Sequence, residues 1–437
     1  MFEKYTQNSR FANYPELEKY LAGLGLFHMN FGLERVQKAL NVFFPQGLPF
    51  KAAQVIGTNG KGSTSHFLAS IAGAHDIKDG LFTSPHLLTM RERVLVSGRM
   101  LPEEEWTLCA NIVDAVQSKN PKEALTYFEF IFVLALVAFC RADVEFAVLE
   151  AGLGGEFDAT SAVFAEILIF TPINFDHQNI LGETLTEIAG TKAEAIKLNQ
   201  ILITAEQNPT VLAVLKAKAS ERGNKLLKPA QGQKFNYPLG LLGYHQKENA
   251  QLALTAFSLL ANKYGWILRK PALLRGFKRA HIPGRMQLIG PMLEHPPLLL
   301  DGAHNIHSFE ALEKNLTIYG LHPRAIIFSC MNDKNLGTVL PKLATWTEGP
   351  IYIPPVENNP RAASPQKLAK EIGPKAHPVQ NIKEALKLAY KAPAPAASKP
   401  GARASLPDYL QSPVLICGSL YLLGDFFKLH PGLLEPA

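Results

Sequence analysis

The segment Gly57-Thr58-Asn59-Gly60-Lys61-Gly62-Ser63-Thr64 follows directly on the apolar run Ala52-Ala53-Gln54-Val55-Ile56. A short strand, a glycine-rich turn and then a helix, here Ser63 to Gly73, is the arrangement that cradles phosphate. The glycines let the backbone bend around an anion, and the helix turns its open N–H groups and positive dipole end toward it. Lys61 adds a point charge for terminal phosphates. A chain that begins this way is committed to an α/β fold with a bound nucleoside triphosphate. The loop departs from strict Walker A spacing: Val55 stands where a glycine is expected, and Gly62 follows Lys61 in place of Ser or Thr. The hydroxyl that usually holds magnesium is absent from its usual place, so a cation needs other ligands.

A length of 437 residues calls for two domains. Hydrophobic content of 47% with 19% charged residues describes a globular protein with a large core. Met1-Phe2-Glu3-Lys4-Tyr5 lacks an apolar stretch behind a basic start, which is not a signal peptide. The apolar run Phe130 to Cys140 is too short to span a bilayer and reads as a buried helix. Cys109, Cys140, Cys330 and Cys417 are scattered without metal-ligand spacing, which fits a reducing cytoplasm without disulfides. A net charge of +6 from dispersed basic residues favours small anions over nucleic acid.

Short apolar segments alternate with longer amphipathic ones, as in a parallel sheet covered by helices. Strands are expected at 53–56, near 80–82, and at 146–150, 167–171 and 201–204. Helices are expected at 33–42, 103–118, 128–141 and 185–197. The turn-rich stretch 225–243 reads as short strands. A second α/β set starts near 297, with strands at 298–301, 325–329, 351–353 and 414–417 and a helix at 308–319. The Pro- and Gly-bearing segment His281-Ile282-Pro283-Gly284-Arg285 reads as a hinge. Residues 1–286 form the first expected domain and 297–437 the second, with the boundary at about 286–296. Residues 392–407, rich in Ala, Pro and Ser, read as a flexible surface loop.

In an open α/β sheet, ligands bind at the carboxyl ends of the strands. Those ends deliver Thr83-Ser84-Pro85-His86, Glu150 with Gly152 and Gly154-Gly155, Asp158, Asp176-His177-Gln178, and Asp301-Gly302-Ala303-His304. Ser84, Glu150 and His177 together could hold a magnesium ion, with Glu150 as the hard oxygen donor and water and phosphate filling the other positions. Taken singly, Glu150 reads equally as a cap on a neighbouring loop and His177 as a satisfied core histidine. Lys192, in Thr191-Lys192-Ala193-Glu194, reads from composition as a solvated helix lysine.

In order along the chain stand Phe31-Gly32-Leu33-Glu34-Arg35-Val36, the phosphate loop, Thr83-Ser84-Pro85-His86-Leu87, Glu92-Arg93-Val94 and Thr126-Tyr127-Phe128-Glu129. Next come Glu150-Ala151-Gly152-Leu153-Gly154-Gly155, Asp158-Ala159-Thr160, Asp176-His177-Gln178, and His245-Gln246 with Asn249. The series ends with Pro283-Gly284-Arg285, Asp301-Gly302-Ala303-His304-Asn305 and Gly418-Ser419-Leu420-Tyr421. Together they resemble the folylpolyglutamate synthase / dihydrofolate synthase family within the Mur-ligase-like ATP-dependent amide ligases.

The resemblance implies an N-terminal P-loop domain with a mostly parallel sheet, binding ATP and pterin, and a smaller C-terminal Rossmann-like α/β domain on the glutamate side. It places ATP phosphates on Thr58, Asn59, Gly60, Lys61, Gly62 and Ser63, and magnesium on Ser84, Glu150 and His177. Lys192 would be carbamylated, its new carboxylate helping to hold a second Mg2+ ion. Asn249, Arg285 and Asp301 would reach the nucleotide, with His304 close by, so that Lys61, Lys192 and His304 serve catalysis. The pteridine would lie against Thr126, Tyr127, Phe128 and Glu129 and against Phe157, Asp158 and Ala159. The chain departs from the common pattern at Ser161, where many relatives carry Asn, and in Ala193-Glu194-Ala195, where Ala-Gly-Ile is more usual. Neither change removes a named ligand.

The expected reaction is addition of L-glutamate to dihydropteroate, to reduced folates, or to both, through an acyl phosphate, with a lean toward both. The expected setting is a cytoplasmic monomer acting on small molecules, without nucleic acid or membrane. Three other readings share the phosphate loop: a Mur-type ligase on a peptidoglycan precursor, a P-loop kinase or NTPase, and a non-catalytic nucleotide-binding regulator.

Overall fold

The structure is a computed structural model that describes residues 2–5, 9–25, 32–117, 120, 123–230, 235–291, 295–332, 336–357, 359–395 and 406–435. Phe31, residues 292–294 of the expected hinge and 396–405 of the expected loop lie outside them. The chain forms two compact units: residues 1–240 with 246–280, and 241–245 with 281–437.

The first unit carries an eight-stranded sheet. Its strands are β1 (Lys51–Ile56), β2 (Asp79–Phe82), β3 (Val94–Val96), β4 (Arg99–Met100), β5 (Phe146–Glu150), β6 (Ile167–Phe170), β7 (Ile201–Thr204) and β8 (Leu226–Leu227). Their order is β4-β3-β2-β5-β1-β6-β7-β8. All neighbours from β2 to β8 run parallel, and β3 and β4 add an antiparallel edge. β1 is buried from Ala52 to Ile56, as a central strand covered on both faces must be. It lies between β5 and β6, with Val55 opposite Glu150 and Ile56 opposite Phe170. That register brings the loops after β1, β5 and β6 to one rim.

Helix Tyr127–Arg141 is buried on nearly every side, which confirms the Phe130–Cys140 run as core. A Thr126/Glu129 capping box starts it. Among the described residues no helix is long and apolar enough to cross a membrane. Expected helix 185–197 stops at Ala193, where the N–H of Glu194 returns to Gly190 and the chain turns.

The second unit carries a six-stranded sheet of β9 (Gln287–Ile289), β10 (Leu298–Asp301), β11 (Ala325–Phe328), β12 (Ile351–Ile353), β13 (Ala376–Pro378) and β14 (Val414–Cys417). The order is β13-β12-β11-β14-β10-β9, parallel except for edge strand β9. Helix Ile306–Tyr319 begins at an Asn305 cap and ends at Gly320 in the left-handed region, φ 62°. All four cysteines are free.

Candidate active site

The phosphate loop leaves β1 under close constraint. A Cβ on Gly57 would collide with the side chain and carbonyl of Thr171, so that position admits only glycine. The N–H groups of Thr58 and Asn59 donate to the Pro172 carbonyl at 2.9 and 3.3 Å, and Thr58 Oγ1 donates to Asn174 O at 3.0 Å. Gly60 has φ 85°, and a Cβ there would meet the Asn249 side chain. The helix that follows, Lys61–Ala74, has no side-chain cap. Its first-turn N–H groups are therefore open to an anion, as the sequence predicts.

Two lysines converge on this loop. Lys61 Nζ donates to the carbonyls of Gly57 and Thr58, each at 3.1 Å. Lys192 Nζ donates to Gly57 O at 3.2 Å and to Leu153 O at 2.5 Å. Lys192 is 1% exposed, which corrects the reading of a solvated helix lysine. Burial, and after it the charge of Lys61, pushes its pKa down to about 7, against the opposing pull of Asp158 and Asp176. Composition cannot report this, because burial of that helix face depends on Gly154 and Gly155 lying against it. A Cβ on Gly155 would meet the Thr191 carbonyl, and one on Gly154 would meet Ile56.

Glu150 ends β5 and is buried. Its Oε2 accepts from the Ser84 N–H at 3.1 Å, while Oε1 would lie 3.5 Å from a Cβ on Gly62. The carboxylate thus caps a loop and also borders the phosphate cradle. Ser84 reaches it through its main chain, at a cis Ser84–Pro85 bond. His177 is exposed, which removes the core-histidine reading. It has φ 47°, and its N–H donates to Asp176 Oδ1 at 3.0 Å. Among the described residues no three His, Cys, Asp or Glu side chains gather to hold a metal. A hard cation at Glu150 would draw its remaining ligands from hydroxyl, water, phosphate or a modified lysine, donors that suit magnesium.

The segments expected to meet a pteridine are knitted into the fold. Glu129 takes the Thr126 N–H at 2.8 Å, and Arg35 Nε and the second guanidinium nitrogen at 3.1 and 2.8 Å. Tyr127 is buried and lies under the Arg93 guanidinium, 5.3 Å away. Phe128 packs on Phe82, and its ring would stand 3.0 Å from a Cβ on Gly152. Asp158 accepts from the N–H groups of Leu153, Gly154 and Thr160 and from Thr160 Oγ1, shaping the loop that covers Lys192. Phe157 is half exposed at 50%, and Ala159 is buried.

In the second unit, Asp301 is buried at the end of β10 and accepts from the N–H groups of Met286 and Ala303, each at 2.9 Å. Burial raises its pKa, and the neighbouring Arg285 charge opposes that. His304 is partly buried, with Nδ1 2.7 Å from the Gly302 carbonyl. Arg285 lies by the same loop, 3.6 Å from where a Cβ on Gly302 would be. Within that unit, Arg285 thus meets the loop that carries Asp301 and His304.

The Mur ligase, glutamate ligase domain family matches residues 284–398. A dihydrofolate synthase/folylpolyglutamate synthase of Bacillus subtilis is 32% identical over 77% of this chain and 84% of its own length. Among solved structures, E. coli FolC in complex with DHPP and ADP is 27% identical with a TM-score of 0.79, over 98% of this chain and 99% of that one. The bifunctional folylpolyglutamate synthase/dihydrofolate synthase of Yersinia pestis, complexed with AMPPNP and Mn ion, is 26% identical with a TM-score of 0.78, over 97% of this chain and all of that one. The chain belongs to the folylpolyglutamate synthase/dihydrofolate synthase family of ATP-dependent amide ligases.

Proposed function

We propose that this chain joins L-glutamate both to dihydropteroate and to reduced folates, with ATP converted to ADP and phosphate. One observation carries the reading. Lys61 and the buried Lys192 meet on the Gly57 carbonyl, with Glu150 against Gly62 of the same loop. A simple kinase has no need of a buried lysine with a pKa near 7; a ligase that holds a second cation through a carbamate does.

In the reaction, a carboxylate oxygen of the acid attacks the γ-phosphorus of ATP, and ADP leaves. The glutamate amine then attacks the acyl carbon, loses a proton, and phosphate departs with the oxygen it took from the acid. Thr58 to Ser63 hold the phosphates, and Lys61 turns from its two carbonyls to the charge that builds on the transferred group. Lys192 in its neutral form adds to CO₂ as a carbamate, losing one proton. Ser84, Glu150, His177 and that carbamate would hold magnesium, which would supply positive charge against the phosphoryl oxygens. Asn249 borders the loop for the nucleotide. Arg285, Asp301 and His304 form a polar cluster within the second unit, and the role assigned to it is contact with the nucleotide. Phe128 and Phe157 offer ring faces to the pterin, beside Thr126, Tyr127, Glu129, Asp158 and Ala159. The ATP- and pterin-binding domain is residues 1–240 with 246–280, and the glutamate-side domain is 241–245 with 281–437, so the division falls at 280/281, ahead of the expected 286–296. The enzyme works as a cytoplasmic monomer on these small molecules, a setting that four free cysteines fit.

Incubation with ATP, Mg2+ and either dihydropteroate or tetrahydrofolate, with and without glutamate, tests the reading. ADP formation that needs both acid and glutamate supports it, and formation independent of them refutes it. Turnover with only one of the two acids removes the bifunctional part.

A further inference from the structure

Among the described residues of the first unit, Arg93 is a buried charge without a carboxylate bonded to it. It is 7% exposed and closes the short turn Met90–Arg93 ahead of β3. Its carbonyl accepts from the Thr83 N–H at 2.9 Å, which pins the main chain. Its Nε donates to His86 Nδ1 at 2.8 Å, and the guanidinium lies over the Tyr127 ring. These contacts set the plane of the fork. Among the described residues its side chain makes that one hydrogen bond and no close ion pair, while the charges of Glu150 and Glu92 act on the guanidinium without a direct hydrogen bond to it. The nearby acids are engaged elsewhere. Glu92 accepts from the N–H groups of Leu87, Leu88 and Thr89, and Glu150 takes that of Ser84.

A desolvated guanidinium without a bonded carboxylate is costly, and an arriving anion relieves that cost. The fork offers donors only, so it fits an acceptor-only group such as a carboxylate and not a pterin edge, which carries donors as well. Its position is equally specific. His86 lies two residues after Ser84, Ser84 holds Glu150, and Glu150 borders the phosphate loop at Gly62. On the other side Tyr127 begins the helix whose next residue, Phe128, presents a half-buried ring.

We propose that Arg93 grips the carboxylate of the acid substrate and directs its free oxygen toward the triphosphate. The inference rests on the ligase reading and deepens it. It gives the acid end of the substrate a dedicated partner, which neither the loop lysines nor the ring-bearing segments provide.

Arg93→Gln in the full chain tests this through the binding of dihydropteroate and of its primary carboxamide. The wild type should prefer the acid by about tenfold or more, the usual weight of a charge-assisted hydrogen bond pair. The variant should bind the two within about threefold of each other, with ADP affinity unchanged. A preference kept in the variant, an equal loss for acid and amide, or a parallel loss of ADP affinity would each overturn the assignment. Should the glutamine variant lack a cooperative melt, Arg93→Lys carries the comparison. A point charge without the fork should raise the KM for the acid about tenfold and leave those for ATP and glutamate in place. An unchanged KM for the acid, or a uniform rise in all three, would contradict it. Wild-type ADP formation indifferent to acid or glutamate would instead sink the ligase reading itself.

Discussion

Lys61 and Lys192 donate to the same carbonyl oxygen, that of Gly57, and the proposed mechanism gives them different tasks. Lys61 is held at the mouth of an uncapped helix, where a triphosphate would draw it off its two carbonyl partners. Lys61→Ala should lower turnover by about 10² to 10³ with an unchanged melting temperature, because its interaction matters chiefly in the transition state. Lys192 is buried, and its pKa near 7 leaves the amine neutral as pH rises past that value. Carbamate formation needs the neutral amine, so turnover should climb from about pH 6 to pH 8 and respond to added bicarbonate below pH 7. A flat pH profile, insensitive to bicarbonate, would contradict this role. Lys61 is legible from its place behind Gly60. Lys192 is legible only through family resemblance, because its burial comes from loops 150–158 folding over it. Arg93 stands within the Glu92-Arg93-Val94 motif but carries no signal of burial in the sequence, since its partners His86 and Tyr127 are 7 and 34 positions away.

At the scale of elements, local chemistry and tertiary packing can be told apart. The helix starts at Thr126 and Thr184 are written in the letters as Thr-x-x-Glu boxes, and both form. The contact of helix Lys61–Ala74 with helix Lys270–Arg279 is not written locally. There a Cβ on Gly276 would come within 2.8 Å of Ile71 Cα, and Ser70 Oγ donates to the Gly276 carbonyl at 2.7 Å. Gly276→Ala should therefore destabilise by about 1–3 kcal/mol despite its better helix propensity, as read from urea unfolding. No loss would mean the helices separate freely. Asp79, at the start of β2, shows the cost of burying a charge: burial raises its pKa to about 7. Between about pH 4 and pH 7 the folded chain keeps a proton that the unfolded chain has released, so stability falls as pH rises through that window. Asp79→Asn should match the wild type near pH 4 and exceed it at pH 8 by a few kcal/mol, on the scale of ~1.4 kcal/mol per pKa unit. Equal stability of the two at pH 8 would show that the carboxyl is hydrated.

For the whole molecule, the alternation of short apolar runs with amphipathic stretches was enough to announce α/β architecture, and strands β1, β5, β7, β10, β12 and β14 lie where it put them. What it could not supply is strand order. That β1 lies between β5 and β6 is a matter of crossover connections, and only this order brings Gly57, Glu150 and Asp176 to one rim. The five-residue piece 241–245 that packs with the second unit is equally silent in the letters, because it has no distinct composition. The chemistry proposed for this rim is amide ligation through an activated acid. Its most direct test is transfer of ¹⁸O from the carboxylate of labelled dihydropteroate during a turnover with ATP and glutamate. Activation as an acyl phosphate requires one ¹⁸O in each phosphate released; phosphate free of label would mean that ATP is cleaved by water and that the acid is never activated.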